Sequence, residues 1–333
     1  MKERPECEAA SADSARARCM GCGEDSSREV LKADDAFSLV ECGNCGLVAT
    51  LPPVPASEIG RYYPASYYGD NNRRFNALLE GFIPFFRDRR AHAIEKFVPR
   101  GRILDVGCGR VILPALLRER GWEAHGLEFS ETAARHARDE LRLPIFVGDF
   151  LESPYADSSF DAIVLSHVLE HVPDPVATIR KARQVLRPGG LLVIAVPNFE
   201  SLQARFTGRH WFHLDVPRHY HHFRLAVLRR LLVSHGFSIL DVSHLSLEYN
   251  PYGWIQSLLN KLGFRYNLFY DLLKNQSARS LQEPFRTAPV QLLLTLAALP
   301  VIVPLSFALT LLEVALRRGG TVEIYARRED LTG

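Results

Sequence analysis

Residues 102–120, RILDVGCGRVILPALLRER, constrain the fold more than any other stretch of the chain. Ile103, Leu104 and Val106 form a short apolar run that breaks at Gly107-Cys108-Gly109, after which Ile112, Leu113, Leu116 and Leu117 recur at helical spacing. This is the pattern of a buried strand, a glycine turn and a helix, the opening unit of an α/β sheet. Such a turn leaves helix N-terminal amides facing a crevice at the carboxyl end of a strand, and glycines there let a ligand lie against the backbone. A nucleotide-like ligand is the expected occupant.

Spacing narrows the ligand. A dinucleotide fingerprint would put a third glycine at position 112, which is Ile112 here, and that side chain would obstruct a pyrophosphate. What remains, Asp105-x-Gly107-x-Gly109, resembles motif I of the class I S-adenosylmethionine (SAM)-dependent methyltransferases, with Val111 at the family's frequent third glycine. Glu128 closes the strand-like run EAHGLE 21 residues after Gly107, and Ser130 follows as a helix N-cap residue. A carboxylate at that point can accept from both ribose hydroxyls. Gly148-Asp149-Phe150, after Ile145-Phe146-Val147, resembles the family's adenine motif, in which an acid accepts from the amino group beside an apolar residue. A single acid at a strand end is as readily a solvated loop carboxylate, but three in register are poorly explained that way. The resemblance implies a Rossmann-like sheet of seven strands, mostly parallel with the last antiparallel. It also implies a SAM site made of Asp105, Gly107, Gly109, Glu128, Phe129, Asp149, Phe150 and Ser166.

Four of the six cysteines fall as Cys19-x-x-Cys22 and Cys42-x-x-Cys45. Glycines permit a tight knuckle at each pair, and the intervening residues, with apolar Phe37, Leu39 and Val40, suit a small hairpin. Residues 19–50 therefore read as a zinc ribbon whose metal is structural, because four thiolates leave no open coordination position. Two disulfides are the alternative, which a reducing compartment opposes. Cys7 and Cys108 are left over, Cys108 as a turn residue. Residues 1–18 read as a disordered polar leader of a cytoplasmic protein. Forty basic against 38 acidic side chains give a net charge of +2, so no global basic field points to nucleic acid.

Residues 51–100 read as a linker with lid helices: four prolines and Tyr62, Tyr63, Tyr67 and Tyr68 come first, then an amphipathic segment over 75–97 interrupted by Pro84. The order of cysteine ribbon, RYYPASYYG and motif I resembles a group of bacterial methyltransferases. In the core, residues 101–245, the buried strand FDAIVLS leads into SHVLEHVPDP, which looks like the signature after the family's fourth strand. Related quinone O-methyltransferases carry a metal-linked E-x-x-E-H there; His167 replaces the first acid, while Glu170 and His171 match. Metal assistance is one reading of that pair, and capping and packing is the other. His167, beside the expected sulfonium, is a candidate base, since an ordinary imidazole titrates near pH ~6.5. The LRPGG turn typical of the superfamily precedes the next strand. Five of the twelve histidines then fall between 210 and 222. Their irregular spacing and interleaved aromatics suit a substrate-facing loop better than a second metal site, with His219 and His222 as further candidate bases flanking Tyr220.

Superfamily members pass straight from the next strand into the last one, whereas here residues 246–319 intervene before the last strand and tail, 320–333. This insertion contains 25 consecutive uncharged residues, 288–312. They suffice to cross a bilayer, but one crossing would strand residues 321–326 on the far side from their sheet. Pro300 and Pro304 suit a hairpin whose limbs are too short to span, hence a re-entrant or interfacial anchor, with a dimerisation hairpin or an apolar lid as alternatives. The chain is therefore expected at the inner face of the cell membrane, as a monomer or homodimer. It would transfer a methyl group to a hydroxyl or carbon of a lipid-linked glycan, a cell-envelope intermediate or a quinone-like ring. Methylation of RNA is a rival that strongly salt-dependent RNA affinity would favour. A SAM-binding scaffold without chemistry is another.

Overall fold

The computed structural model describes residues 18–55, 57–62, 77–139, 141–274 and 289–330. The leader up to residue 17, Cys7 included, and the tyrosines of 63–68 lie outside them. The chain opens with three antiparallel strands, β1 (Ser27–Lys32), β2 (Ser38–Cys42) and β3 (Val48–Leu51). After α1 (Ala77–Glu95), strands and helices alternate: β4 (Arg102–Val106), α2 (Ile112–Glu119), β5 (Glu123–Glu128), α3 (Glu131–Asp139), β6 (Ile145–Val147), β7 (Phe160–Ser166), α4 (Pro175–Val185) and β8 (Leu186–Pro197). Then come α5 (Leu202–Thr207), the two-residue β9 (His221–His222), α6 (Leu225–Ser234) and β10 (Phe237–Ser243). The insertion holds α7 (Asn250–Lys261), α8 (Leu268–Leu273) and α9 (Pro289–Ala315), and β11 (Thr321–Arg328) ends the fold.

The main sheet has seven strands in the order β10-β11-β8-β7-β4-β5-β6. Strands β4 to β8 run parallel, and β11 is antiparallel to both of its neighbours. This is the sheet expected from the sequence. Strands β7 and β8 read as near-continuous apolar runs because helices cover both faces: Ala162 to Leu165 are fully buried. The strand order reverses between β4 and β7, so the crevice past their carboxyl ends is the place where such a sheet binds ligands. Packing modifies some local expectations. Arg187-Pro188-Gly189-Gly190 is drawn into β8 as a bulged start, with a register shift between Phe160 and Ala162, instead of standing apart as a turn. Pro84 does not interrupt the segment before the sheet, since α1 runs through it.

The insertion departs furthest from expectation. Pro300 and Pro304 do not make a hairpin: α9 is one helix of 27 residues with both prolines inside it. At ~1.5 Å per residue it is about 40 Å long. Packing overrides the local preference of proline. Ile302, between the two prolines, is buried against Trp254, Leu258 and Leu259 of α7, and the hydroxyls of Thr295 and Ser306 donate to the carbonyls of Gln291 and Ile302 four residues back.

The cysteine unit is joined to the core by backbone. Strand β9 pairs with β3, Val48 opposite His222 and Ala49 opposite His221, making a second sheet in the order β1-β2-β3-β9. Leu39 and Val48 share a cluster with Trp211 and Leu214, and Leu47 belongs to the main core. Residues 219–222 of the histidine-rich stretch thus lie in a seam between ribbon and core. Thr50 Oγ1 donates to the His219 carbonyl at 2.6 Å and sits 3.0 Å from His222 Nε2, and Tyr220 N–H donates to the Glu170 carbonyl. The physical reason is that β3 would otherwise present an unpaired edge, which β9 satisfies.

Candidate active site

Parallel register sets the expected cofactor residues side by side. Asp105 lies opposite Gly126 and Val164, Val106 opposite Leu127 and Leu165, and Glu128 opposite Val147, so Asp105, Glu128 and Ser166 share the carboxyl edge of the sheet. Gly107 and Gly109 take positive φ, 66° and 50°. A Cβ on Gly107 would come 2.6 Å from Val168 Cγ2, whereas one on Gly109 would meet nothing within 4 Å, leaving its turn open toward the crevice. Val111, at the place of the third glycine, adopts φ 55° although it is β-branched and fully buried. Helix α2 then starts without a side-chain cap, so its first amides are not consumed by one.

Glu128 is buried, and its two oxygens accept from Gly109 N–H at 2.8 Å and Ser130 N–H at 3.0 Å. Burial raises its pKa, against those backbone donors. A carboxylate retains further acceptor sites after two such bonds, as the ribose hydroxyls of SAM require. Burial pushes Asp105 up to about 7, and the guanidinium groups of Arg90 and Arg87 on α1 pull it the other way. Asp149 accepts from Leu151 N–H at 2.8 Å and is exposed. Phe129 and Phe150 divide: Phe129 is 77% exposed beside Glu128, while Phe150 is buried in the main core. The open glycine turn and the inward carboxylates fit SAM, which supplies an electrophilic methyl on a sulfonium when bound.

His167 follows β7 directly, with φ 56°, a backbone state uncommon outside glycine and frequent at functional sites. Its Nδ1 lies 3.1 Å from Oε1 of Glu170, which is buried. A carboxylate oxygen accepts, so Nδ1 carries the proton and Nε2 presents its lone pair. That Nε2 is buried with no hydrogen-bond partner among the described residues. Tyr249, just before α7, sets its ring centroid 4.1 Å from that of the imidazole, the two planes tilted by 42°. His219 and His222 are placed differently, in the ribbon seam. Both are buried, and burial holds His219 well below the usual range and His222 at about 3. His219 also lies beside His171, ring centroids 4.6 Å apart, and one ligand atom from each of Glu170, His171 and His219 falls within 4.8 Å of the others.

The cysteines converge as expected. Cys19 Sγ is 3.5 Å from Cys45 Sγ, Cys22 Sγ is 3.6 Å from Cys42 Sγ, and all four sulfurs lie within 4.8 Å of one another. Disulfide bonds need sulfurs about 2.05 Å apart. A tetrahedral zinc with bonds of ~2.3 Å separates its sulfurs by about 3.8 Å, so the cluster is compatible with zinc. Gly21 N–H points at Cys19 Sγ from 3.3 Å, as at a metal knuckle.

Several groups at the acceptor side escaped the sequence reading. Arg87 of α1 makes a two-point pair with Glu248, at 2.6 and 3.1 Å, and Arg90 pairs with Glu323 at 2.8 Å. Arg87 and Arg90 are close enough to Asp105 to act on its charge. His213, buried and held at about 3 by that burial, lies near His167 and Tyr249. Arg87 and Glu248 are 161 residues apart, and nothing local to either announces the pairing.

The comparisons with known proteins follow this geometry. The methyltransferase-domain family matches residues 76–242. The ubiquinone biosynthesis O-methyltransferase of Aromatoleum aromaticum is 29% identical over 180 residues, covering 50% of this chain and 75% of that protein. Its counterpart in Methylococcus capsulatus is 30% identical over 179 residues, covering 50% and 74%. Among solved structures, a SAM-dependent methyltransferase from Archaeoglobus fulgidus is 18% identical with a TM-score of 0.45, covering 76% of this chain and 100% of that one. With half of its length matched, this chain belongs to the methyltransferase-domain family and is a SAM-dependent methyltransferase.

Proposed function

We propose that the enzyme methylates a hydroxyl on an apolar, quinone-like ring at the inner face of the membrane, with His167 as the base. The single observation carrying this is the Glu170–His167 pair: a buried carboxylate fixes Nδ1 as donor and leaves an unpartnered Nε2 beside the cofactor crevice. The hydroxyl would lose its proton to Nε2 as its oxygen attacks the sulfonium methyl in line, and the methyl–sulfur bond pair would leave with the sulfur. The names of relatives near 30% identity support oxygen as the acceptor atom and a quinone-like ring over a glycan. Asp105, Gly107, Gly109, Glu128, Phe129, Asp149 and Ser166 would hold SAM, with Phe150 backing the site from the core. Zinc at Cys19, Cys22, Cys42 and Cys45 would be structural.

The test is transfer of labelled methyl from SAM to a hydroxylated quinol with a short isoprenoid tail. His167→Ala should lose about 10²–10⁴-fold in kcat with SAM affinity unchanged, the usual contribution of a positioned base. Turnover within a few-fold of the parent would remove His167 from the role. A second reading is supported by Glu170 Oε2, buried without a partner among the described residues and grouped with His171 and His219. Those three would hold a divalent metal that polarises the acceptor oxygen, and loss of turnover on chelation, restored by added magnesium or zinc, would favour it.

A further inference from the structure

Helix α9 faces the wrong way round for a soluble domain. A helix on the surface of a globular protein buries its apolar stripe and turns polar residues to water. Here Thr295, Ser306, Thr310 and Glu313 are among the six buried residues. The outward face carries Val290, Leu293, Val301, Leu305 and Leu311, four of them 66–70% exposed and Leu305 44%. Glu313 anchors the inner face: its carboxylate accepts from Trp254 Nε1 at 2.9 Å, Gln203 Nε2 at 3.2 Å and Gly320 N–H at 3.1 Å. The far end is held where Arg265 N–H donates to Gln291 Oε1 at 3.2 Å. The helix is therefore held to protein at both ends, with α7 packed against its middle, and β11 rejoins the main sheet at once after it. A one-way crossing is excluded, because it would part β11 from its sheet.

We propose that this outward face docks in the plane of an anionic lipid bilayer. The proposal rests on the membrane reading above, to which it adds a surface, an orientation and a lipid chemistry. Charge selects the occupant. Along α7, α8, α9 and their described flanks, residues 250–274 and 289–318, the basic residues are Lys261, Arg265, Lys274, Arg317 and Arg318, against Asp271 and Glu313. Glu313 is buried and Asp271 is paired with Lys274 at 3.0 Å. The exposed charges at the two ends of α9 are thus cationic: Lys261 and Arg265 by its start, Arg317 and Arg318 after its finish. An apolar stripe rimmed by cations matches an interfacial helix on anionic headgroups. A second copy fits worse. Whether two α9 helices pack parallel or antiparallel about a two-fold axis, cationic ends meet cationic ends, which opposes association.

Flotation of the full chain with vesicles tests this, using phosphatidylcholine with and without phosphatidylglycerol, at low and high salt. The parent should float with the anionic vesicles, less so at high salt. The double variant Arg317→Gln/Arg318→Gln should bind about tenfold or more weakly, the scale for two arginines at an anionic surface. The triple variant Val301→Ser/Leu305→Ser/Leu311→Ser should lose flotation; these side chains face outward, so melting and SAM binding should be kept. Parent protein that stays with the soluble fraction, or binds neutral vesicles equally well, overturns the proposal. So does a lipid-free dimer that the triple variant dissociates, because a second copy then covers the face. Methyl transfer to the short-tailed quinol reports separately on the acceptor reading, which survives if only flotation fails.

Discussion

The enzyme carries two additions to one sheet, attached by opposite physics. The ribbon joins through hydrogen bonds and buried histidines: backbone pairing of β3 with β9, Thr50 to His219 and His222, and Glu41 between Arg28 and Arg224. The insertion joins through a few buried polar groups centred on Glu313 and one apolar cluster, and it leaves its largest apolar surface outward. The ribbon has little core of its own, and its four cysteines are placed where a metal would cross-link it. The insertion builds a core of its own from α7, α8 and α9, with Leu202 of α5 at its edge, and has surplus apolar area. The difference teaches that an appended unit need not be independent to be recognisable: the ribbon's sheet is completed by the core, and zinc release should disturb both.

The largest effect separating the regions should come from removing the metal. Structural zinc contributes roughly 10–16 kcal/mol of apparent binding energy in small zinc units, far more than one side chain. Chelation should therefore abolish hydrogen-exchange protection in β1 to β3 and extend to residues 219–223, while residues 305–315 stay protected. Protection retained at 219–223 would mean that the seam does not depend on the ribbon, and metal analysis finding no zinc in the reduced protein would end the zinc reading.

Next in size is Glu313→Ala, which leaves Trp254 Nε1, Gln203 Nε2 and the Gly320 N–H without their shared acceptor. A loss of about 2–5 kcal/mol is expected, the range for breaking a buried charged network from one side. Exchange should rise in α7 and α9 and not in the ribbon; equal loosening of both would show that the additions are coupled through the core.

The cofactor site stands apart from both. Glu128→Ala should weaken SAM binding by about 1.5–3 kcal/mol by calorimetry, with no change in exchange at either addition. Unchanged affinity would take Glu128 out of the site.

Smallest, and opposite in sign for the two regions, is the response to acid. His222 is held at about 3 by burial, against ~6.5 for an unfolded histidine, so its share of stability is present above 6.5 and lost as pH falls toward 3. Glu313 is raised to about 7 by burial, against ~4.3 unfolded, so its share is present below 4.3 and lost as pH rises through 7. Between pH 7 and pH 5 the seam should lose roughly 2 kcal/mol from His222 while the α9 anchor gains about as much from Glu313. Rate-corrected hydrogen exchange at the two values tests this. Movement of both regions in one direction would contradict the assignment of buried neutral histidine to one and buried protonatable acid to the other.

That the motif I turn and Glu128 meet at one edge of the sheet was legible from the chain because each part is local. The strand, the glycine turn, Glu128 and Asp149 are each read within a few residues, and parallel pairing of short βα units carries them to one edge. The cysteine pairs were legible for the same reason, since their spacing implies a knuckle whatever surrounds it. The histidine stretch was conspicuous, yet its pairing with the ribbon was not foreseen. Spacing reports that His219 to His222 are unusual, but their partner Thr50 lies 172 residues from His222, and an unpaired strand edge in one unit is invisible from the sequence of another.

What the sequence determined by itself, then, is the strand, glycine turn and helix of motif I and the four-cysteine cluster, set by periodicity and spacing over tens of residues, while the whole sheet with its antiparallel last strand came from the resemblance those motifs carry. Tertiary structure alone decided which way α9 faces, that its prolines sit inside one helix, that the histidines seal a seam, and that Arg87 meets Glu248. A helix apolar all round has no periodicity to choose an inner face. That choice falls to Glu313, whose hydrogen-bonding needs are met only after Trp254, Gln203 and Gly320 have packed against it, whereas Thr295 and Ser306 bond carbonyls of their own helix.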